Sequence, residues 1–254
     1  MTMKIGLVSV TFRPLSVEQV VAASAAARIE CIEWGGDVHV PHGDFEAAKK
    51  ASRVTHDAGL KVSSYGSYLR LGVEQDFTAR EVIETAASLG APMVRVWAGN
   101  RGSGEATEED WKKVVEAAFE AAELAAREGI GVGYEFHGGT LTDTGESARR
   151  LLDLTRHPSI YSFWQPPVGA SEDEAVASLH DVLPRLCNIH AFHWWPDSRH
   201  RHSLTEGADR WTRYLSIIRD TGKPRDVLLE FMPGDKVDFL PVEAAILRDL
   251  VDRA

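Results

Sequence analysis

Alanine-rich segments with apolar residues at helical spacing alternate along the chain with short runs of β-branched and aromatic residues. At four places the helical segment ends at a glycine, and another strand-like run begins within a few residues. These junctions lie at Gly59, Gly90, Gly129 and Gly222. Glycine readily adopts the left-handed conformation that ends a helix, so each junction predicts a helix followed by a strand.

Three predicted helices also carry a recognisable start. A serine or threonine is followed three residues later by glutamate or glutamine in the pairs Ser16 with Gln19, Thr78 with Glu81, and Ser171 with Glu174. This spacing is typical of a capping box. Together the signals predict eight strands: Lys4–Val10, Ile29–Trp34, Lys61–Tyr65, Met93–Trp97, Ile130–Phe136, Ile160–Trp164, Leu186–His193 and Val227–Phe231.

Each predicted strand precedes a helical segment, which gives eight strand and helix pairs in 254 residues. This number and length are typical of the α/β fold known as the (β/α)8 or TIM barrel. A doubly wound open sheet is the competing architecture. No linker rich in proline and serine divides the chain, so we predict a single TIM barrel domain over residues 1–254.

Composition narrows the class of partner. Lys and Arg number 28 against 38 for Asp and Glu, and the resulting net charge of -10 argues against nucleic acid. No apolar run has the length of a membrane span. The two cysteines, Cys31 and Cys187, lie in apolar runs and favour buried thiols in a reducing compartment. We expect a cytoplasmic protein that binds a small molecule, and the sequence leaves a homo-oligomer open.

Polar residues at the ends of the late strands are the candidates for chemistry. Glu135 and His137 share one face of the fifth strand, and Gln165, His190 and Glu230 end the sixth, seventh and eighth. The carboxyl ends of barrel strands meet at one mouth, so these side chains are expected to converge. Carboxylate, imidazole and amide donors suit one divalent metal ion, namely Mn²⁺, Mg²⁺, Co²⁺ or Zn²⁺.

A salt bridge is the alternative reading of the same carboxylates. Strand parity places Arg95 on the inner side of the fourth strand, where it can pair with Glu135 and Glu230. Glu33, on the inner side of the second strand, is a further partner for Arg95. Burying a carboxylate without a cation would cost several kcal/mol, so one of the two arrangements must hold.

Other residues near the predicted mouth are candidates for contact with substrate. Indole rings can stack on a sugar, although Trp34 and Trp164 face outward and fit helix packing better. His137 can contact a substrate hydroxyl or the turn after the sixth strand, and the run from His193 to His202 can form a lid or a solvated loop. The predicted substrate-binding residues are His137, Trp97, His193, Trp195, Arg199 and Glu206.

These residues resemble the xylose isomerase-like TIM barrels, a family that includes sugar phosphate isomerases and epimerases of the tagatose epimerase type. The resemblance rests on Glu135, on His190 in Ile-His-Ala-Phe-His, on Glu206-Gly207 and on Glu230 in Leu-Leu-Glu-Phe. It implies one divalent ion at positions that usually read Glu, Asp, His and Glu, with the two glutamates as acid and base. Here the aspartate position is Gln165.

Three motifs are missing, and their absence argues against redox cofactors and serine hydrolysis. The chain lacks a complete dinucleotide fingerprint, a Gly-x-Ser-x-Gly elbow and a phosphate loop. We therefore predict a metal-assisted isomerase or epimerase that moves a proton on a keto-sugar through an enediolate, with Glu135 and Glu230 as the catalytic pair. A lyase or dehydratase acting on a keto-sugar, keto-inositol or keto-glycoside is the first alternative. A catalytically silent sugar-binding barrel is the second.

Overall fold

The structure, a computed structural model, describes residues 3–254. Eight parallel strands close into a barrel, and a helix follows each of them along the chain. The barrel strands are β1 Met3–Val8, β2 Cys31–Gly35, β3 Lys61–Arg70, β4 Met93–Trp97, β5 Gly131–Glu135, β6 Ile160–Trp164, β7 Leu186–Ala191 and β10 Arg225–Leu229. Two short strands, β8 His193–Trp194 and β9 Arg201–His202, form an antiparallel hairpin outside it.

The helices pack around this barrel. They are α1 Val17–Ala26, α2 Phe45–Asp57, α3 Ala79–Leu89, α4 Glu108–Arg127, α5 Gly145–Leu154, α6 Glu172–Val182, α7 Ala208–Asp220 and α8 Leu240–Arg253. The strand order is β1, β10, β7, β6, β5, β4, β3, β2, and β2 pairs with β1 to close the ring. The predicted (β/α)8 barrel is thus confirmed over the open sheet. Within residues 3–254, every helix is too short or too polar to cross a bilayer.

The predicted helix starts are confirmed in detail. Ser16, Thr78 and Ser171 each accept a hydrogen bond from the third helical residue, whose own side chain accepts one from the cap. Thr107 and Asp110 form a fourth capping box that the sequence reading missed. The usual pattern does not predict this capping box because aspartate replaces glutamate or glutamine at the third helical residue.

Strand ends are where prediction and structure differ. The predicted first strand ran to Val10, but a short 3-10 helix, Ser9–Phe12, begins directly after β1. The third strand was predicted to end at Tyr65 and instead continues to Arg70, with an irregular register against β4 between Gly66 and Arg70. Both differences lie at the carboxyl end of the barrel, where strands turn toward the mouth.

Large aromatic side chains fasten the strands to the helices. Trp34, Tyr134 and Trp164 are buried outside the barrel. Each donates a hydrogen bond of 3.0 to 3.2 Å to a hydroxyl in or beside the following helix, on Thr55, Thr155 and Ser178 respectively. The expectation that Trp34 and Trp164 serve helix packing is confirmed.

Inside the barrel, glycines make room for large neighbours. A Cβ atom at Gly6 would lie 2.3 Å from the side chain of Leu228, and one at Gly133 would lie 2.5 Å from the ring of Phe163. Side chains therefore fill the interior in layers, as is usual in this fold. Both cysteines are free thiols; Cys31 is buried as expected, whereas Cys187 is only partly buried.

Candidate active site

Three ionisable side chains converge at the carboxyl end of the barrel. Glu135 ends β5, His190 lies in β7 and Glu230 follows β10, and all three are buried. One donor atom from each lies within 4.8 Å of the others. Nδ1 of His190 lies 3.6 Å from Oε2 of Glu230 and 3.9 Å from Oε1 of Glu135. The predicted convergence of these three residues is therefore present.

Gln165 joins this triad from the end of β6. Its Oε1 atom lies 3.0 Å from Nδ1 of His190, and the side chain is buried. All four side chains predicted as metal ligands thus surround one point. The amide contributes an oxygen donor without adding a negative charge.

The predicted salt bridge exists beside the triad. Nε of Arg95 donates to Oε1 of Glu33 at 2.8 Å, and its Nη1 donates to Oε2 of Glu135. The expected pairing of Arg95 with Glu33 is confirmed. Arg95 makes no salt bridge with Glu230 within residues 3–254. The salt bridge and the cluster of metal-ligand types, considered above as alternatives, occur together.

Glu33 has a second contact that the sequence reading did not find. Its Oε2 atom lies 3.4 Å from Nε2 of His190 and accepts a 2.7 Å hydrogen bond from Ser64. This contact turns the other ring nitrogen, Nδ1, toward Glu135 and Glu230. A carboxylate on the outer nitrogen is the usual way to orient a metal-binding histidine. The shared inward parity of Glu33 and His190 was the available signal.

The two glutamates of the triad differ in their surroundings. Oε2 of Glu135 accepts hydrogen bonds from Arg95 and from Nε1 of Trp97. Burial alone would raise the pKa of Glu135, but Arg95 and His190 hold it below the usual value. The carboxylate of Glu230 accepts no hydrogen bond from residues 3–254. Burial and the neighbouring charge of Glu135 outweigh the attraction of His190 and raise the pKa of Glu230.

His190 is surrounded by negative charge. Burial lowers the pKa of its imidazole, but Glu230 and Glu33 more than offset this and raise it above the usual value. Without another cation, the protonated ring is the main partner for Glu230. A metal ion binding at Nδ1 would have to displace that proton.

The residues present fit a divalent ion. Glu230 is a buried carboxylate that accepts no hydrogen bond from residues 3–254, and its salt-bridge partner is the His190 ring 3.6 Å away, whose charge a dication at Nδ1 would replace. Three buried carboxylates, those of Glu33, Glu135 and Glu230, would be balanced by Arg95 and one dication. Glu135, His190 and Glu230, with Gln165 as the neutral fourth donor, are the residues able to hold it.

A cleft of about 330 Å³ opens beside Gln165, and the three residues of the triad do not line it. Its walls include His137, Gln165, Val168 and Trp194. The ring of His137 stacks on Trp97 with 4.7 Å between centroids, which brings together two predicted substrate-binding residues. Nδ1 of His137 contacts the carbonyl of Gly138 and not the turn after β6. A wider surface depression of about 670 Å³, between α4 and α5, includes no residue of the triad.

The other predicted substrate-binding residues lie on the segment after β7. His193 is half-buried and packs near His202 in the hairpin, and Arg210 covers the exposed ring of Trp195. Arg199 is exposed and pairs with Asp197, while exposed Glu206 pairs with His202. The structure does not bring these four residues to the triad, and a role in binding substrate stays a prediction.

Two residues with unusual backbone also border the mouth. Tyr68 and Phe231 have φ values of 56° and 43°, a region that side chains other than glycine rarely adopt. The hydroxyl of Tyr68 accepts a 2.8 Å hydrogen bond from Arg13, whose guanidinium also lies 5.8 Å from the ring of Phe231. Such strain concentrates at functional sites. Sequence reasoning missed both residues because no residue type there signals a positive φ.

The chain is similar in sequence to a known family of barrels and to curated proteins. Residues 21–249 match the family model described as the xylose isomerase-like TIM barrel. A 3-dehydroshikimate dehydratase of Bacillus anthracis is 27% identical over 167 residues, which cover 62% of this chain and 60% of that protein. The chain thus aligns with less than two thirds of the length of that relative.

Solved structures extend the likeness of fold to nearly the whole chain. A probable 3-DHS dehydratase from Bacillus anthracis superposes with a TM-score of 0.81 at 21% identity, covering 97% of this chain and 99% of that one. A D-allulose 3-epimerase from Methylomonas sp. gives a TM-score of 0.78 at 16% identity, covering 99% and 98%. The same barrel thus serves dehydratases and epimerases.

Proposed function

The chain belongs to the xylose isomerase-like TIM barrel family, and on that premise we propose that it is a divalent-metal-dependent lyase that removes water from a β-hydroxy ketone. The family predicted from the sequence is thereby confirmed. Members act on small sugar-like molecules, and we place this substrate in the same class. The lyase is the first alternative that the sequence predicts, and the dehydratases among the similar proteins favour it over the isomerase or epimerase.

The unequal surroundings of the two glutamates carry this proposal. One oxygen of Glu135 is held by Arg95 and Trp97, so that carboxylate is fixed and stays ionised. Glu230 accepts no such hydrogen bond from residues 3–254, so its carboxylate is the one that can reach the substrate as a proton-transfer group. A site with one free base is better suited to elimination than to epimerisation by two bases on opposite faces.

The reaction then needs one proton-transfer group. Glu230 removes the proton from the carbon next to the carbonyl, the bond from the β-carbon to its hydroxyl breaks, and the same carboxyl returns the proton to the departing hydroxyl as water. The products are an unsaturated ketone and water. Glu135, His190 and Glu230, with Gln165 beside them, would hold a dication, which would supply Lewis-acid stabilisation of the developing charge on oxygen.

Other residues orient the substrate. His137 and Trp97 form one side of the mouth beside the cleft, and Glu33 keeps His190 in place from behind. The 27% identity with a 3-dehydroshikimate dehydratase supports a cyclic β-hydroxy ketone as the substrate. The burial of the triad keeps bulk water from the carbon that loses its proton.

Turnover by the Mn²⁺-loaded protein tests the proposal. We expect 3-dehydroshikimate or 2-keto-myo-inositol to lose water. This loss is measured by the absorbance of the conjugated product and by mass spectrometry. The same protein after chelation serves as the control and is expected to be inactive. Epimerisation of D-allulose or another ketose without loss of water would contradict the lyase.

The isomerase or epimerase remains the second candidate function. It is favoured by one observation: both carboxylates lie within 4 Å of Nδ1 of His190, so two groups flank the same point. In D₂O, an epimerase using both glutamates would place deuterium in recovered ketose. Metal binding without turnover of any of these ketones would instead favour the silent sugar-binding barrel.

A further inference from the structure

The irregular end of β3 presents an arginine beside the mouth. Gln75 accepts a hydrogen bond from the backbone nitrogen of Arg70 at 2.6 Å and donates one to the carbonyl of Tyr68 at 3.2 Å. The register against β4 shifts between Gly66 and Arg70, and Tyr68 within this stretch has a positive φ. A strained conformation held by a dedicated side chain is typical of a functional position.

The guanidinium of Arg70 is held in place but uses few of its donors. Its central carbon lies 3.9 Å from the ring centroid of Trp97, and Nη1 reaches the carbonyl of Gly99 at 3.5 Å. Within residues 3–254 it forms no salt bridge with a carboxylate. Arginine has five N–H donors, so most of them are available to a ligand.

Three other arginines at this end of the barrel are neutralised within the chain, and Arg210, which also lacks a salt bridge among residues 3–254, lies over the ring of Trp195 and donates to the carbonyl of Ala170. Arg13 pairs with Asp37 at 2.7 Å, Arg101 pairs with Asp110 at 3.3 Å, and Arg201 pairs with Asp235. The chain as a whole carries a net charge of -10. An arginine left without a carboxylate beside a buried acidic cluster is therefore where an anionic group can bind.

Trp97 connects Arg70 to the reacting end of the site. Its ring contacts the guanidinium, and its Nε1 donates to Glu135 of the triad. The indole ring of Trp97 thus lies between the triad and Arg70. A ligand bound at the triad has to extend by about the length of one indole ring to contact Arg70. Burial lowers the pKa of Arg70, while attraction from Glu135 opposes this.

We infer that Arg70 binds a carboxylate of the substrate, so that this enzyme takes an acidic β-hydroxy ketone in preference to a neutral sugar. The inference rests on the proposed function and names its substrate class. A single guanidinium matches the two coplanar oxygens of a carboxylate. Phosphate sites in such barrels usually form after the seventh and eighth strands, whereas Arg70 lies on β3, opposite β7.

Two β-hydroxy ketones that differ in charge test the inference with the Mn²⁺-loaded protein. 3-Dehydroshikimate carries a carboxylate, and 2-keto-myo-inositol carries none. We expect Arg70→Gln to lower kcat/KM for the acid by about 10- to 100-fold, the range for a hydrogen bond to a charged group, and to leave the inositol unaffected. Arg101→Gln, which removes an arginine already paired with Asp110, is the matched control and should leave kcat/KM for both substrates unchanged. Arg70→Lys should recover part of the loss.

Binding measured without turnover separates this inference from the proposed function. Calorimetric titration should show that 3,4-dihydroxybenzoate binds more tightly than catechol, and that Arg70→Gln removes the difference. If this Arg70-dependent difference in binding is found but neither ketone is dehydrated, the lyase is refuted and the carboxylate site is supported. Dehydration with equal effects of Arg70→Gln on both substrates would overturn the carboxylate site alone. Arg70-dependent preference for D-fructose 6-phosphate over the acids would also overturn it, in favour of phosphate.

Discussion

The two ends of the barrel interior both carry carboxylates, but the two ends differ in how the negative charge is balanced. At the amino end, Ser63 donates to Asp226 at 2.7 Å and accepts from Asn188 at 3.1 Å. Lys4 lies 3.8 Å from the same aspartate. The carboxylate of Asp226 thus has a hydrogen-bond donor and a cation within the chain, so it needs no ligand to balance its charge.

The carboxyl end is built differently. Glu33, Glu135 and Glu230 face one guanidinium and one imidazole, and Glu230 has no hydrogen-bond donor among residues 3–254. Three buried carboxylates facing two cations leave one negative charge uncompensated, and proteins keep such buried charge mainly where a ligand completes it. The difference between the ends therefore identifies the site more clearly than cavity size does.

The largest expected effect comes from removing the free base. Glu230→Gln should lower kcat by about 10²-fold or more in the metal-loaded enzyme, the usual contribution of a general acid or base. Steady-state kinetics at saturating Mn²⁺ measure it, and bound metal is quantified in the same samples. Full activity in a variant that retains metal would show that Glu230 is only a ligand.

The matched substitution at the amino end is Asp226→Asn. We expect turnover to be unchanged and the free energy of unfolding to fall by about 1 kcal/mol, because the partly buried hydrogen bond from Ser63 is weakened. Urea denaturation measures this loss. Equal losses of activity in the two variants would remove the contrast between the ends.

A smaller effect is expected from the carboxylate behind His190. Glu33→Gln removes the charge that holds Nε2 and should weaken Mn²⁺ binding by about 10- to 100-fold, the usual cost of losing such a partner. Calorimetric titration measures the affinity independently of catalysis. Ser64→Ala removes only a donor to Glu33 and is expected to have a weaker effect. Unchanged affinity in Glu33→Gln would mean that Glu33 serves Arg95 alone.

The smallest effect concerns the neutral member of the cluster. Gln165→Asp adds a fourth carboxylate at the carboxyl end, and we expect Mn²⁺ to bind several-fold more tightly because the added charge attracts the ion. The metal-free variant should be less stable to urea, since the new charge lies beside Glu135 and Glu230. Gln165→Asn keeps the amide and is the control for side-chain length. If affinity does not rise, Gln165 lies outside the ligand set.

The sequence alone determined the architecture and the members of the central cluster. Glycine stops, capping boxes and β-branched runs are local signals, and their repetition leaves few folds open. Once the barrel is assumed, parallel strands must bring Glu135, Gln165, His190 and Glu230 to one mouth. Strand parity then predicted Arg95 and Glu33 as partners, because alternate residues face the interior.

Only the tertiary structure determined which of these charged side chains pair with each other. Glu33 and His190 are 157 positions apart, and nothing local indicates that barrel closure puts them 3.4 Å from each other. Barrel closure also brings Arg95 and Trp97 within hydrogen-bond distance of Glu135, whereas Glu230 accepts no hydrogen bond from residues 3–254. The β3 irregularity at Tyr68 and Arg70 depends likewise on Gln75 and on the strand beside it. Such choices depend on distances across the barrel, which a linear pattern of residue types does not contain.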